Sequence, residues 1–270
     1  MPSTDQLFLL LPLILIVATL YSSVGHGGAS GYLAVISLMG FATKSFVPIV
    51  LVLNVLVASI SFLNYRRPGK FSFRRLLPFV VTSIPASYLG GMVKVSDITF
   101  QLILGVALLA VAWRLVLRTG TGDRIPGSGK LTLDNVPRTS DPDTRNLWAI
   151  GIPVGLVLGF VSGMIGIGGG VFLSPILLFL GITNIKGSAA MASTFIVLNS
   201  LAGLAGHLGT LSTIYNPNPV TPLAFISAGL IGALVGSRWG ATRKQPRTLQ
   251  LVLASVLAFA SVKLMSTAFF

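Results

Sequence analysis

Two glycine-rich turns stand 141 positions apart in the chain, Gly25-His26-Gly27-Gly28 and Gly166-Ile167-Gly168-Gly169-Gly170. Each closes a long apolar run and opens a short one, which ends at Gly40-Phe41 or Gly181-Ile182 at the same offset. The chemistry that such turns offer is the capture of an anion. A helix that begins after the turn presents its first N–H groups without intrahelical partners, and together they carry roughly half an elementary charge. Glycine lets a ligand approach the backbone because no Cβ intrudes. Two such N-termini, one from each half and facing each other at mid-membrane, attract an anion without a lysine or arginine in the hydrocarbon. The hydroxyls of Ser22, Ser23 and Ser162, just before the turns, supply further hydrogen-bond donors.

Other residues join this set through symmetry or position. Asn54 in Leu-Asn-Val-Leu matches Asn199 in Leu-Asn-Ser-Leu, each inside an apolar run. An amide there either glues helices together or lines the substrate path, and its recurrence at matched places favours the path. Ser193 and Thr194 are weaker candidates, because hydroxyls in such helices commonly bond their own backbone carbonyls. His26 has two readings that stand side by side. It titrates and tunes anion affinity, or it is a neutral turn residue bonded to backbone. The candidate binding residues are therefore Ser22, Ser23, Gly25, His26, Gly27, Gly28 and Asn54 in the first half. In the second half they are Ser162, Gly166, Gly168, Gly169, Gly170, Ser193, Thr194 and Asn199.

The elements that position these residues are membrane helices. Of 270 residues, 53% are hydrophobic and only 9% charged, and the mean hydropathy is +0.87. A soluble globular domain carries about 25% charged residues. Apolar runs cover Leu7 to Tyr21, Phe46 to Leu63, Leu76 to Met92, Phe100 to Leu117, Leu147 to Ile165, Ala189 to Leu208, Pro222 to Val235 and Leu249 to Phe270. A helix needs roughly 20 mostly apolar residues to cross the bilayer core. Leu7 to Tyr21 reads as a first span rather than a signal peptide, since Met1 to Gln6 holds no basic residue and no small-x-small site precedes a polar chain. The chain has no cysteine, which removes disulfides and thiolate metal sites. Neither a metal nor a cofactor is expected.

The repeat extends beyond the glycines. Tyr88-Leu89-Gly90-Gly91 matches Leu234-Val235-Gly236-Ser237, and Gln101 matches Gln250. Residues 1–117 form a first transmembrane repeat, 118–146 a polar cytoplasmic linker and 147–270 a second repeat. Each repeat is read as about four full spans plus a short segment, Ala29 to Gly40 or Val171 to Gly181. A dozen residues at about 1.5 Å each extend less than 20 Å, too short to cross. Such a segment is a half-helix or a re-entrant fold. Five changes of direction per half make the two repeats inverted. With the Arg66–Arg75 loop in the cytoplasm, 16 of the 19 Lys and Arg then share that side, leaving Lys44, Lys94 and Lys263. Both termini face outward in this arrangement. The formal charge of +13 is thus a topology signal rather than a nucleic-acid footprint. Lys44 and Lys186 read as snorkelling lysines rather than gates, His207 as an interfacial residue, and Trp113, Trp148 and Trp239 as an aromatic belt.

The string Phe160-Val161-Ser162-Gly163-Met164-Ile165-Gly166-Ile167-Gly168-Gly169-Gly170, followed by Leu173-Ser174-Pro175-Ile176-Leu177, resembles the signature of the sulfite exporter TauE/SafE family. Ala192-Ser193-Thr194 and Gly232-Ala233-Leu234-Val235-Gly236 fit the same pattern, and the likeness covers nearly the whole chain. The first half departs from it at His26, Ala29 and Ala34. The resemblance implies an all-α polytopic permease of a prokaryotic cell membrane that exports small sulfur-containing anions such as sulfite or organosulfonates. Its partners are then the anion and the lipid bilayer, with no nucleic acid, and a homo-oligomer is compatible with the sequence. All six acidic residues are aspartates in loops or the terminus, so transport is expected to be uniport or coupled to protons through histidine. Two alternatives share the sequence: an anion channel of the same fold, and a rhomboid-like intramembrane protease with Ser30 in Gly28-Ala29-Ser30-Gly31 and His207 as its base. Symmetry speaks against the protease, because Ser30 aligns with Val171. The expected class is a transporter, not an enzyme.

Overall fold

Apolar runs interrupted only by glycine turns and polar loops leave the backbone one way to satisfy its own hydrogen bonds in lipid, which is to coil into helices. The computed structural model describes residues 4–66, 71–120, 144–208, 220–242 and 247–269, and these are helical apart from turns. The first half holds α1 (Thr4–Ser22), α2 (Ala29–Leu38), a 3₁₀ turn (Thr43–Phe46), α3 (Val47–Tyr65), α4 (Phe73–Met92) and α5 (Asp97–Gly120). The second holds α6 (Thr144–Ile165), α7 (Gly170–Phe179), α8 (Ile185–Gly206), α9 (Val220–Thr242) and α10 (Arg247–Phe269). Among the described residues, α3, α5, α6, α8 and α9 contain segments long and apolar enough to cross a membrane. Most of the predicted linker lies outside the described residues; α5 and α6 run into its two ends.

The two short helices are copies of each other in length and in how they start and stop. α2 and α7 have ten residues each, and both ends keep the 141-residue offset. Before them, the chain turns after α1 and α6 at Gly25 and Gly166, whose φ values of +80° and +76° only glycine adopts readily. The turn is closed by the His26 N–H on the Tyr21 carbonyl (2.9 Å) and by the Ile167 N–H on the Ser162 carbonyl (3.2 Å). The same six-to-one bond ends both short helices, from Phe41 N–H to Ile36 and from Ile182 N–H to Leu177. Positive φ at Gly40 and Gly181 makes that geometry possible.

Packing follows the same exchange of halves. α4 lies on α6 as α9 lies on α1, α4 touches α8 as α9 touches α3, and α3 pairs with α8 and α5 with α10. The α4–α6 contact is close because Gly155, Gly159 and Gly163 set the α6 backbone against the Phe79, Ser83 and Ser87 carbonyls of α4. Gly232, Gly236 and Gly240 of α9 do this against the Leu15, Thr19 and Ser23 carbonyls of α1. Small residues spaced by four allow this approach where lipid removes the hydrophobic drive between helices.

Contacts along α3 and α8 fix their relative course. α3 starts at Val47 beside Gly166 and ends at Tyr65, whose hydroxyl donates to the Ser23 carbonyl (2.6 Å). α8 passes Gly25 with Ala189, in its second turn, and reaches Gly163 with Gly203. The two matched helices therefore run in opposite directions. The surface is apolar, unlike that of a soluble protein. Large apolar side chains such as Phe8 (74% exposed), Trp113 and Phe259 cover the outside, while Asn54, Asn199 and many serines are buried. Soluble monomers do not expose apolar surface on this scale; a lipid-facing bundle does.

Candidate functional site

Both glycine turns deliver a helix N-terminus into the interior. Gly28 (φ +96°) and Gly169 (φ +70°) are the N-caps of α2 and α7, and neither helix has a side chain capping its first turn. In α2 the Tyr32 N–H bonds the Gly28 carbonyl at 3.0 Å, leaving the earlier N–H groups of the turn beyond the helical ladder. In α7 the turn is tighter, with Gly170 N–H on the Gly168 carbonyl (2.9 Å) and Phe172 N–H on the Gly169 carbonyl (3.1 Å).

One side chain joins the two turns. Asn54 is fully buried in the middle of α3. Its Nδ2 donates to the Ile167 carbonyl (3.2 Å) of the second turn and to Ser200 Oγ (2.9 Å) of α8. Its Oδ1 faces Gly27 of the first turn so closely that a Cβ there would overlap it. A Cβ on Gly168 would come within 2.6 Å of Nδ2 and 2.7 Å of Ser200 Oγ. The first turn is held reciprocally by α8, since Ser193 Oγ donates to the Gly25 carbonyl (2.8 Å) and to its own Ala189 carbonyl (2.6 Å). Each turn is thus pinned by a polar side chain from the other half.

The remaining predicted residues divide by what their polar atoms do. Ser22 and Ser23 donate to the Thr19 and Leu20 carbonyls, and Thr194 to Ala190, all within their own helices. Asn199 Nδ2 donates to the Phe195 carbonyl, and the Asn199 carbonyl accepts Ser87 Oγ. Three buried polar atoms have no partner among the described residues: Asn54 Oδ1, Asn199 Oδ1 and Ser162 Oγ. Such atoms cost stability unless something else meets them. His26 is buried, and at the 141-residue offset it corresponds to Ile167 of the second turn.

The structure adds residues that the sequence did not single out. At the 141-residue offset Tyr21 stands where Ser162 stands, and its hydroxyl accepts a bond from Ser30 Oγ (2.8 Å). Tyr32 donates to the Gly27 carbonyl (2.9 Å). Two phenols therefore line the first turn, while the second has a serine. Ser200 was hidden beside Asn199. Arg114, counted above with the loop cations, lies inside α5 and donates from Nη1 to the Val171 carbonyl in the first turn of α7. An arginine within the apolar run Phe100 to Leu117 was the available signal.

A helical bundle with an apolar exterior and two interrupted helices meeting at a polar centre has the architecture of a membrane transporter. The family profile described as Sulfite exporter TauE/SafE matches residues 10–264, and the chain belongs to that family. It is 31% identical over 250 residues to "Probable membrane transporter protein y4hK" of Sinorhizobium fredii, covering 93% of this chain and 94% of that one. Against "Probable membrane transporter protein YunE" of Bacillus subtilis the identity is 24% over 270 residues, covering 92% and 93%. A shorter match, 36% over 109 residues, links it to "Probable membrane transporter protein MJ0441" of Methanocaldococcus jannaschii, covering 38% and 40%. No solved structure matches the chain.

Proposed function

We propose that this transporter carries small sulfur-containing anions, sulfite or an organosulfonate, out of a prokaryotic cell across its cytoplasmic membrane. The anion binds between the N-termini of α2 and α7, with Gly25, Gly27, Gly28, Gly166, Gly168, Gly169 and Gly170 forming the cradle. The observation that carries this reading is the convergence of both glycine turns on Asn54 in a buried polar centre. Uncapped helix ends there favour negative charge, and the unpartnered Ser162 Oγ offers a hydroxyl donor. The family's description supports sulfite as the first substrate to try.

The two halves are read as inverted repeats with both termini outward. The opposite courses of α3 and α8 support this. So do the loop contacts: Arg75 bonds the Ile182 carbonyl and Lys186 the Ala241 carbonyl on the predicted cytoplasmic side. Lys44 bonds Val95 and Asp97, and Lys263 bonds Ser37 and Leu38, on the other. The chain acts as a carrier rather than a protease. Ser30 Oγ is committed to Tyr21, and the His207 ring lies against the Gly203 carbonyl at 2.8 Å.

Radiolabelled sulfite flux into proteoliposomes tests the proposal, with sulfate, a sulfonate and chloride as competitors and Gly169→Val as the altered site. Saturable uptake, blocked by sulfur oxyanions and abolished in the variant, is expected. Normal flux through well-folded Gly169→Val protein refutes the anion cradle, and flux that does not saturate assigns the fold to a channel.

A further inference from the structure

Among the described residues, three cations reach the two short helices, and one of them goes to the wrong end. Lys263 of α10 donates to the Ser37 and Leu38 carbonyls at the C-terminus of α2, both at 2.8 Å. Arg75 of α4 donates at 2.8 Å to the Ile182 carbonyl, just past the C-terminus of α7. A helix dipole is negative at that end and favours a cation. Arg114 instead meets α7 at Val171, its second residue, where the dipole is positive and repels a guanidinium.

An acceptor is free there for a local reason. In an α-helix the Val171 carbonyl accepts from the N–H of residue 175. Residue 175 is proline, which has no N–H. In α2 the matching residue is Ala34, and the matching cation behaves differently as well. At the offset set by Gln101 and Gln250, Lys263 is the counterpart of Arg114, yet it goes to the far end of α2. Arg114 also lies within electrostatic reach of Tyr21, whose hydroxyl holds Ser30 in the first turn of α2. Beside the α7 N-cap, the buried Ser162 Oγ has no partner, and Ser162 Cβ is 3.3 Å from where a Gly169 Cβ would stand.

We propose that Arg114 supplies the countercharge for the bound anion, held at the α7 N-terminus by the carbonyl that Pro175 leaves free. This rests on the reading of the glycine turns as an anion site and deepens it. The arginine adds a movable charge to two fixed dipoles, and Pro175 fixes where that charge waits.

The test is sulfite flux in proteoliposomes with wild type, Arg114→Gln, Arg114→Lys, the double variant Pro175→Ala/Arg114→Gln, and Gly169→Val. Arg114→Gln should raise KM about tenfold or more with a smaller change in kcat, the size expected from one lost charge-assisted hydrogen bond. Arg114→Lys should stay within about threefold of wild type, because it keeps the charge. The double variant restores a backbone N–H for Val171, so its thermal stability should recover while its KM stays high. It also carries the measurement if Arg114→Gln alone does not insert. A double variant with wild-type KM overturns the proposal, because Arg114 then only props the helix. So does a folded Arg114→Gln protein with wild-type KM while Gly169→Val is dead, and in that case the site itself survives. Wild-type flux in Gly169→Val, or no saturable flux in the wild type, overturns the site and this proposal together.

Discussion

Gly27→Ala is the substitution for which the structure sets the clearest cost. Gly27 does not have positive φ, so alanine is not excluded by backbone conformation. At such a position Gly→Ala ordinarily stabilises by about 0.4–1 kcal/mol through the unfolded chain. Here the new methyl would overlap Asn54 Oδ1 and come within 2.6 Å of Asn54 Cγ and 3.0 Å of the Asn54 carbonyl oxygen. The amide must swing away, breaking its bonds to Ile167 and Ser200. Two lost hydrogen bonds at about 1 kcal/mol each, with the Ile167 carbonyl left buried, make a penalty of roughly 2–4 kcal/mol. In an Asn54→Ala background the amide is gone, and only the 3.0 Å contact with the residue-54 carbonyl remains. The same Gly27→Ala change should then cost about 1 kcal/mol or less, a coupling that a double-mutant cycle resolves. Denaturant unfolding of the four proteins in detergent measures it. Equal costs in both backgrounds would refute the placement of Asn54 between the turns.

Three further outcomes are expected. Lys44→Ala should change stability by less than about 1 kcal/mol, with the difference shrinking as salt rises, because the pair with Asp97 is exposed on both sides; thermal unfolding at low and high ionic strength checks it. Sulfite flux should follow an imposed membrane potential, worth about 2.3 kcal/mol per charge per 100 mV, and should not respond to a pH gradient at zero potential. A clear response to the gradient would instead assign coupling to a titrating group, with His26 the first to substitute. His207, just past the end of α8, is held below the ordinary histidine pKa by burial, against a backbone bond to Gly203. The neutral form is favoured in the fold, so its contribution is present above about pH 6.5 and lost as the pH falls through that value. Melting temperatures from pH 8 to 5 should show that acid loss, and His207→Gln should flatten it.

The helices and both breaks were legible because they are written in local chemistry. A left-handed helix terminus needs glycine, and Gly25, Gly40, Gly166 and Gly181 all take it. That is why α2 and α7 keep one offset from first residue to last. Helix ends shifted by a few residues from the apolar runs, since polar residues such as Arg74, Arg75 and Asp97 join the first turns of α4 and α5. Asn54 was legible as a matched polar residue, but its bond to the Ile167 carbonyl joins positions 113 apart. Nothing in the spacing of one helix states which face meets which turn of the other half. Ser200 and Tyr32 escaped for that reason: a serine or tyrosine in an apolar run looks the same whether it bonds its own helix or a neighbour.

Several residues on which the two halves differ lie at the glycine turns, and their differences fit a common requirement. The first turn has Tyr21, Tyr32 and Ser30, which bond one another's segment and the Gly27 carbonyl. The second has Ser162, Val171 and Pro175, with an unpartnered hydroxyl and a carbonyl that only an outside donor satisfies. Beyond the pins that Ser193 and Asn54 provide from opposite halves, the first turn takes its phenols from its own half and the second takes Arg114 from the other. Two identical uncapped helix ends would attract an anion equally from both sides, and the ligand would have no preferred position between them. Closing one end with phenols and arming the other with a guanidinium breaks that balance. On this argument, exchanging Tyr21 for serine should loosen the first turn without raising anion affinity, whereas exchanging Ser162 for tyrosine should fill the second and block binding. Proteoliposome KM values for the two variants decide it: a comparable loss in both would mean that the halves contribute alike, and the asymmetry would be packing alone.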